Sequence, residues 1–251
     1  SETWFYEVYR MFPTLSVFLP NGDFAGLYLN SGNYNVVGKM ALAGRNKQEA
    51  WDQWYTGRFN IKPFKGLSIK GDYSWNRYSA SRKVHRKEMT QTFPEGAATW
   101  TVESPNYVQN KNSNDIYQAL NVWAEYQKSF KNAHNMVLMA GYNQEQKTLA
   151  STSYKMSNLY DNELPISDLA INYLENSETK DIWKVQGAFF RLNYDYQSKY
   201  LMEVNGRYDG SSKYAKDHRW AFFPSASVGW RISEEKFFKP LTKYVDNLKI
   251  R

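Results

Sequence analysis

The chain has 251 residues and no cysteine, which excludes a disulfide framework and a Cys-based metal site. No apolar run approaches the ~18 residues of a transmembrane helix, and the mean hydropathy is −0.71. The three histidines, His85, His134 and His218, lie far apart and form no metal-ligand spacing. Ser1 is not an initiator methionine, and no charged-then-apolar signal segment follows it. The last residues, Leu248-Lys249-Ile250-Arg251, read as a strand in progress, so an internal segment of something longer is expected. Aromatics, by contrast, are abundant at 17%, with 20 Tyr, 14 Phe and 9 Trp. High aromatic content with low hydropathy suits a wall in which only alternate residues meet lipid. The net charge of +7 is spread along the chain, which fits solvated loops and walls better than a nucleic-acid interface.

The pattern carrying most information is Trp220 to Ser233. Trp220, Phe222, Ala226, Val228, Trp230 and Ile232 alternate with Ala221, Ser225, Ser227, Gly229, Arg231 and Ser233, and alternate residues of a strand share a face. Tryptophan near both ends of an apolar face is the layout of a lipid-facing strand with an aromatic at each rim. Trp220, Phe222, Val228 and Trp230 are the predicted lipid-facing residues. The small polar face suits a wet lumen. Pro224 removes a ladder hydrogen bond, so a local bulge is expected there.

The alternation recurs in hairpins. Trp51–Ile61 and Leu67–Arg77 are joined by a turn at 62–66, whose odd length keeps both apolar sets on one side. Strands from Ile116 to Gln127 and from Met136 to Glu145 follow, turning at 131–134. A third pair, Phe190–Tyr196 and Met202–Asp209, turns at Gln197-Ser198-Lys199. Trp51 to Ile61 at ~3.3 Å per residue and a tilt of ~40° projects to about 25 Å, one membrane crossing. Residues 79–114 and 148–181 are polar and read as long loops at the other rim. Short turns at one rim and long loops at the other is the asymmetry of outer-membrane barrels, whose long loops face outward. Ser233 is a candidate N-cap for a short helical turn at Glu234-Glu235-Lys236 closed by Pro240. Thr3–Tyr9 is a candidate strand end, and Pro20-Asn21-Gly22-Asp23 a turn. The fold class expected is all-β, an antiparallel transmembrane β-barrel segment with long extracellular loops and short periplasmic turns. The whole of 1–251 is read as one partial barrel domain.

No catalytic constellation emerges. Glu234 and Glu235 are adjacent and point apart on a strand, and Asp161 and Glu163 lie in a loop, so the carboxylate pair of a glycosidase is not formed. Gly66 to Gly71 has P-loop glycine spacing, but Asp72 stands where Lys is required. Gly210-Ser211-Ser212 lacks the flanks of a nucleophile elbow. The chain is not expected to be an enzyme, and neither cofactor nor metal is expected. The inward ions Arg191, Asp195, Glu203, Arg207, Asp209 and Arg231 read as a cross-strand ionic network that stiffens the wall. The aromatics Trp100, Tyr107, Tyr154 and Tyr160, placed in outer loops, are the candidates for ligand or lid contact, because aromatic faces stack on sugars and anchor interfaces.

Several segments resemble one family. Arg191-Leu192-Asn193-Tyr194-Asp195-Tyr196, Lys199-Tyr200-Leu201, Arg207-Tyr208-Asp209-Gly210-Ser211-Ser212-Lys213-Tyr214, Arg219-Trp220-Ala221-Phe222-Phe223-Pro224-Ser225 and Gly229-Trp230-Arg231-Ile232-Ser233-Glu234-Glu235 together resemble the SusC/RagA-type TonB-dependent transporters of Bacteroidetes outer membranes. The match is dense over about 185–251 and looser from about 50 to 145. The resemblance implies a plugged 22-stranded barrel, of which this chain supplies about eight or nine strands. It implies import of large nutrients, glycan oligomers or peptides, with a SusD-like surface lipoprotein as lid. It also implies a bacterial outer-membrane location and coupling to the TonB complex through an N-terminal plug region not present here. A passive porin or structural barrel, and a secreted β-rich carbohydrate-binding protein, are the alternative readings.

Overall fold

The computed structural model describes residues 6, 8–9, 16–25, 35–92, 99–102, 104–131 and 133–251, with side chains left out at 90–92 and 99–102. Helix α1 (Val36–Leu42) precedes the strands β1 (Asn46–Phe64), β2 (Leu67–Arg86), β3 (Met89–Thr92), β4 (Thr99–Val102) and β5 (Tyr107–Phe130). These are followed by β6 (His134–Leu159), β7 (Ala170–Tyr196), β8 (Tyr200–Ser211), β9 (Trp220–Arg231) and β10 (Lys249–Ile250). Eight strands form one sheet in the order β1-β2-β5-β6-β7-β8-β9-β10, and β3 pairs with β4 alone. Apart from the β3–β4 hairpin between β2 and β5, sheet neighbours are sequence neighbours, the meander expected when antiparallel strands are joined by turns.

Two compact units divide the chain. The first comprises Ser1–Trp51, Ser79–Asn114 and Ala150–Thr179. Its small core is Val108, Met156 and Leu159, with Ala170 against them. Two asparagines, Asn106 buried and Asn162 half-buried, tie its backbone. Asn106 donates to the Leu159 carbonyl (3.2 Å) and accepts from the Leu159 amide (2.7 Å). Asn162 does the same for Glu88, at 2.9 Å each way. Each amide side chain imitates a strand partner where the ladder stops, pairing the Leu159 and Glu88 backbone groups. The expected turn at Pro20–Asp23 is present, with Gly22 at φ +89 and its amide on the Leu19 carbonyl. Of the candidate strand Thr3–Tyr9, Tyr6, Val8 and Tyr9 are helical, and the rest lies outside the described residues.

The second unit comprises Asp52–Tyr78, Asp115–Leu149 and Lys180–Arg251. Among its described residues only two apolar side chains, Ala119 and Phe238, are buried. It is a single layer with two open faces, and Trp220, Phe222, Val228 and Ile250 stand exposed on one of them. A soluble domain cannot leave such a face bare. The turns at one end are tight. Gly66 takes φ +93 in the Lys65-Gly66 turn, and Gln197 and Ser198 take φ 50 and 57, the positive values that suit the twist of paired strands.

Several expectations need correction. Residues 79–114 and 148–181 are long excursions built mainly of strand, since β2 runs on to Arg86, β5 starts at Tyr107, β6 reaches Leu159 and β7 starts at Ala170. Apolar residues are sparse there, so the two-residue period is hard to read from composition. The turn at 62–66 is tighter, because strand continues through Lys62-Pro63-Phe64. Its parity holds, since Tyr55 packs on Trp75 and Thr56 hydrogen-bonds Ser74. Ser233 caps nothing. It lies buried inside a 3-10 turn, Ile232–Glu234, and Pro240 lies within the next, Lys236–Leu241.

Pro224 forms no bulge. The register passes through it unbroken, with Asn205 opposite Ser225, Gly206 opposite Pro224 and Arg207 opposite Phe223. The Arg231 amide donates to Lys199 and the Ser211 amide to Arg219, which sets the hydrogen-bonded pairs at odd positions of β9. Pro224, at an even position, directs its nitrogen away from β8. No bond of the β8–β9 ladder is therefore lost at the proline.

Candidate functional site

The functional feature of the second unit is the difference between its two faces. Directly paired residues share a face, and the β7–β8–β9 register sorts them. One face carries Arg191, Asn193, Asp195, Glu203, Asn205, Arg207, Asp209, Ser225, Ser227 and Arg231. The other carries Phe190, Leu192, Tyr194, Met202, Val204, Tyr208, Trp220, Phe222, Ala226, Val228 and Trp230. All six predicted ions thus share one face, and all four residues predicted to meet lipid share the opposite one.

The polar face is linked mainly by amides. Asn205 accepts from Arg191 Nε (2.7 Å) and donates to Glu203 (2.8 Å). Arg207 grips both oxygens of Asp209 (2.9 and 3.0 Å) and reaches Asn143 at 3.1 Å. Asn135 donates to Asp195 at 3.2 Å, and Asn121 to Asp72 at 2.9 Å. The only ion pair within the predicted set is Arg207–Asp209, two residues apart on one strand. The cross-strand links run through asparagine instead, and Arg231 enters none of them. An asparagine both donates and accepts, so it joins Arg191 to Glu203 without adding charge. A Cβ at Gly187 would lie 1.9 Å from Asp209 Oδ1, so a larger residue there would displace the carboxylate that Arg207 holds.

The polar face also holds aromatics that the alternation analysis passed over. Trp54 packs against Tyr117 at 5.9 Å, and Phe189 lies under Arg207 at 5.5 Å. Phe223 falls opposite Arg207 and is 57% exposed. Their signal was parity. Trp54 keeps step with Asp52 and Arg58, and Phe223 with Ser225 and Ser227.

The apolar face carries aromatics at two levels. At the turn end, Tyr200 stacks on Tyr196 and on Trp230, both at 6.4 Å, and His134 lies between Phe130 (5.0 Å) and Tyr196 (4.9 Å). Farther along, Tyr208 stacks on Trp220 at 5.0 Å. Ten residue steps separate Trp220 from Trp230, about 25 Å once a ~40° tilt is allowed for, the height of an apolar membrane band.

A matching family model, described as TonB dependent receptor-like, beta-barrel, covers residues 7–245. The chain belongs to the TonB-dependent receptor β-barrel family. TonB-dependent receptor P3 of Formosa agariphila is 26% identical over 241 residues, 93% of this chain and 22% of that protein. TonB-dependent receptor SusC of Bacteroides thetaiotaomicron is 48% identical over 63 residues, 25% of this chain and 6% of the relative. The structure of the RagAB peptide transporter superposes with a TM-score of 0.72 at 18% identity, over 87% of this chain and 24% of that one. The receptor segment thus spans about a quarter of the length of its full-span relatives. The resemblance to SusC/RagA-type receptors agrees with these matches, as does the all-β fold. The relatives are receptors and a transporter by name, not enzymes.

The predicted contact aromatics fall in different settings. Tyr107 opens β5, half-buried, with Lys155 Nζ 4.1 Å and Arg86 5.6 Å from its ring. Cations already occupy the ring face that a sugar would need. Tyr154 is within β6 rather than in a loop, and Trp100 is in β4, its side chain outside the description. Among the three whose side chains are described, only Tyr160 is freely presented, 89% exposed, in the connection between β6 and β7. Ile171 and Tyr173 nearby are 75% and 76% exposed.

Proposed function

We propose that this segment forms part of the wall of a TonB-dependent importer in the bacterial outer membrane, with its polar face to the lumen and its apolar face to lipid. The observation carrying the reading is the two-sidedness of a single-layered sheet in a chain of this family. A bare apolar face bounded by aromatics about 25 Å apart needs hydrocarbon against it. The amide-rich face supports a wet interior, where a plug docks or a polar nutrient passes. The cargo proposed is a large nutrient, a glycan oligomer or a peptide, taken up with a SusD-like lipoprotein lid and energised through the TonB complex. Tyr160 and Tyr173 at the long-excursion side, and Trp54 and Phe223 on the polar face, are the proposed ligand, lid or plug contacts. The tight turns lie in the periplasm and the long excursions outside the cell.

Two experiments test this. Cysteines placed at Asn112 and Ser198 of the complete receptor in intact cells should react with an impermeant thiol reagent at Asn112 only. Labelling at Ser198 instead reverses the topology. Deleting the gene should abolish growth on one oligomeric nutrient while sparing its monomer. Unchanged uptake of every glycan and peptide tried would end the importer reading.

A further inference from the structure

Beyond the turn-end aromatics, the segment after β9 leaves an amphipathic surface uncovered. The 3-10 turn Lys236–Leu241 runs into one further turn, with the Tyr244 and Val245 amides both on the Leu241 carbonyl (2.9 and 3.0 Å). Phe238 is buried and pins it. Glu235 secures its start, accepting from Lys199 Nζ (2.9 Å), Tyr200 Oη (2.8 Å) and Trp230 Nε1 (3.3 Å). Phe237, Leu241, Tyr244 and Val245 remain 66%, 52%, 80% and 43% exposed. Lys236, Lys239 and Lys243 are exposed, enter no ion pair among the described residues, and no carboxylate lies between residues 236 and 245.

We infer that Lys236–Val245 is an interfacial anchor that lies on the phospholipid leaflet at the turn end of the wall and recognises anionic headgroups. Two observations select lipid over another occupant. Phe237 meets Trp230 edge-on at 6.4 Å, so the exposed apolar surface continues the apolar face that ends in Tyr200 and Trp230. Three unpaired lysines beside it complement anionic headgroups. Apolar residues reaching the acyl boundary beneath a lysine-bearing polar side is the pattern of segments lying in a membrane interface. The inference rests on the lipid-facing reading of that wall.

The test uses the complete receptor reconstituted in bilayers, with a bimane probe at Tyr244→Cys or, separately, at Val228→Cys. The quencher is brominated phosphatidylglycerol or brominated phosphatidylcholine. The Val228 probe should be quenched by both lipids. The Tyr244 probe should be quenched more by the anionic lipid, and this preference should fall about fivefold for each lysine neutralised in K236Q, K239Q and K243Q. Quenching at Val228 without quenching at Tyr244 overturns the anchor and leaves the wall reading standing. Equal quenching of the Tyr244 probe by both lipids overturns headgroup recognition. Loss of quenching at Val228 overturns the wall reading itself. A Tyr244 probe shielded from aqueous iodide in detergent, yet unquenched in bilayers, marks a protein contact and overturns the proposal.

Discussion

A single arginine walked along β9 measures which face meets lipid and how deep each position lies. Trp230 pairs with Tyr200 at the turn-end belt, and Trp220 pairs with Gly210 ten residues earlier. At ~3.3 Å per residue and ~40° tilt, Val228 lies about 5 Å from the Trp230 level and Ala226 about 10 Å from it, close to the midplane. Ala226→Arg therefore places a guanidinium near the centre of the apolar band and should cost about 2–4 kcal/mol. At Val228 the side chain can snorkel to the rim, so Val228→Arg should cost about 1 kcal/mol, toward the interfacial end of the depth range. Ser227, between them in sequence, sits on the polar face opposite Glu203. Ser227→Arg meets water and a carboxylate there, and should change stability by no more than about 0.5 kcal/mol. The assay is denaturant titration of the complete receptor folded into phospholipid vesicles. The order Ala226, Val228, Ser227 is the expected result. Equal costs at all three positions, or a greater cost at Ser227 than at Ala226, would falsify the assignment of faces.

Other consequences follow from the same contacts. Asn205→Ala removes the bridge between Arg191 and Glu203 and should cost about 1 kcal/mol, whereas Arg231→Ala, outside that network, should stay within about 0.5 kcal/mol; parity between them in the same titration would discount the amide links. Hydrogen bonds from Lys199, then from Tyr200, hold the Glu235 carboxyl below the usual carboxylate range. Its folded pKa is depressed, so the stabilisation is fully present above the ordinary glutamate value of about 4.3 and is lost as pH falls through the lower folded value. The gap in melting temperature between wild type and Glu235→Gln should therefore close as pH falls below the ordinary glutamate value, and a gap independent of pH would contradict the assignment. Gln197→Gly relieves a left-handed backbone at φ 50 and should stabilise by about 0.5–1 kcal/mol; a destabilised variant would mean that the glutamine side chain supports the turn.

Much of the wall was legible before any coordinates, because a strand alternates strictly and one face here must be apolar. The hairpin pairs, the odd turn parity and the sharing of one face by Arg191, Glu203 and Arg207 all follow from that period. The polar excursions escaped notice for the same reason in reverse. Where apolar residues are sparse, alternation leaves little trace, and Tyr107 and Tyr154 read as loop residues although they lie in β5 and β6. The amide bridges were also missed. Asparagine on a polar face looks like any solvated residue until its neighbours are known to be Arg191, Glu203 or Arg207.

The residues alone therefore determined the fold class, the apolar face and the family, since those depend on local period and on short motifs read in order. Tertiary structure decided what depends on register. It set Gly206 opposite Pro224 with the proline nitrogen turned from β8, so that no bulge is needed. It placed Phe223 beside Arg207 and Asn205 between two opposite charges. It also brought Lys199, Tyr200 and Trp230 onto Glu235. Apart from Asn205–Glu203 and Trp230–Glu235, such hydrogen-bonded partners lie 14 to 36 residues apart, and only the pairing of whole strands brings them within range.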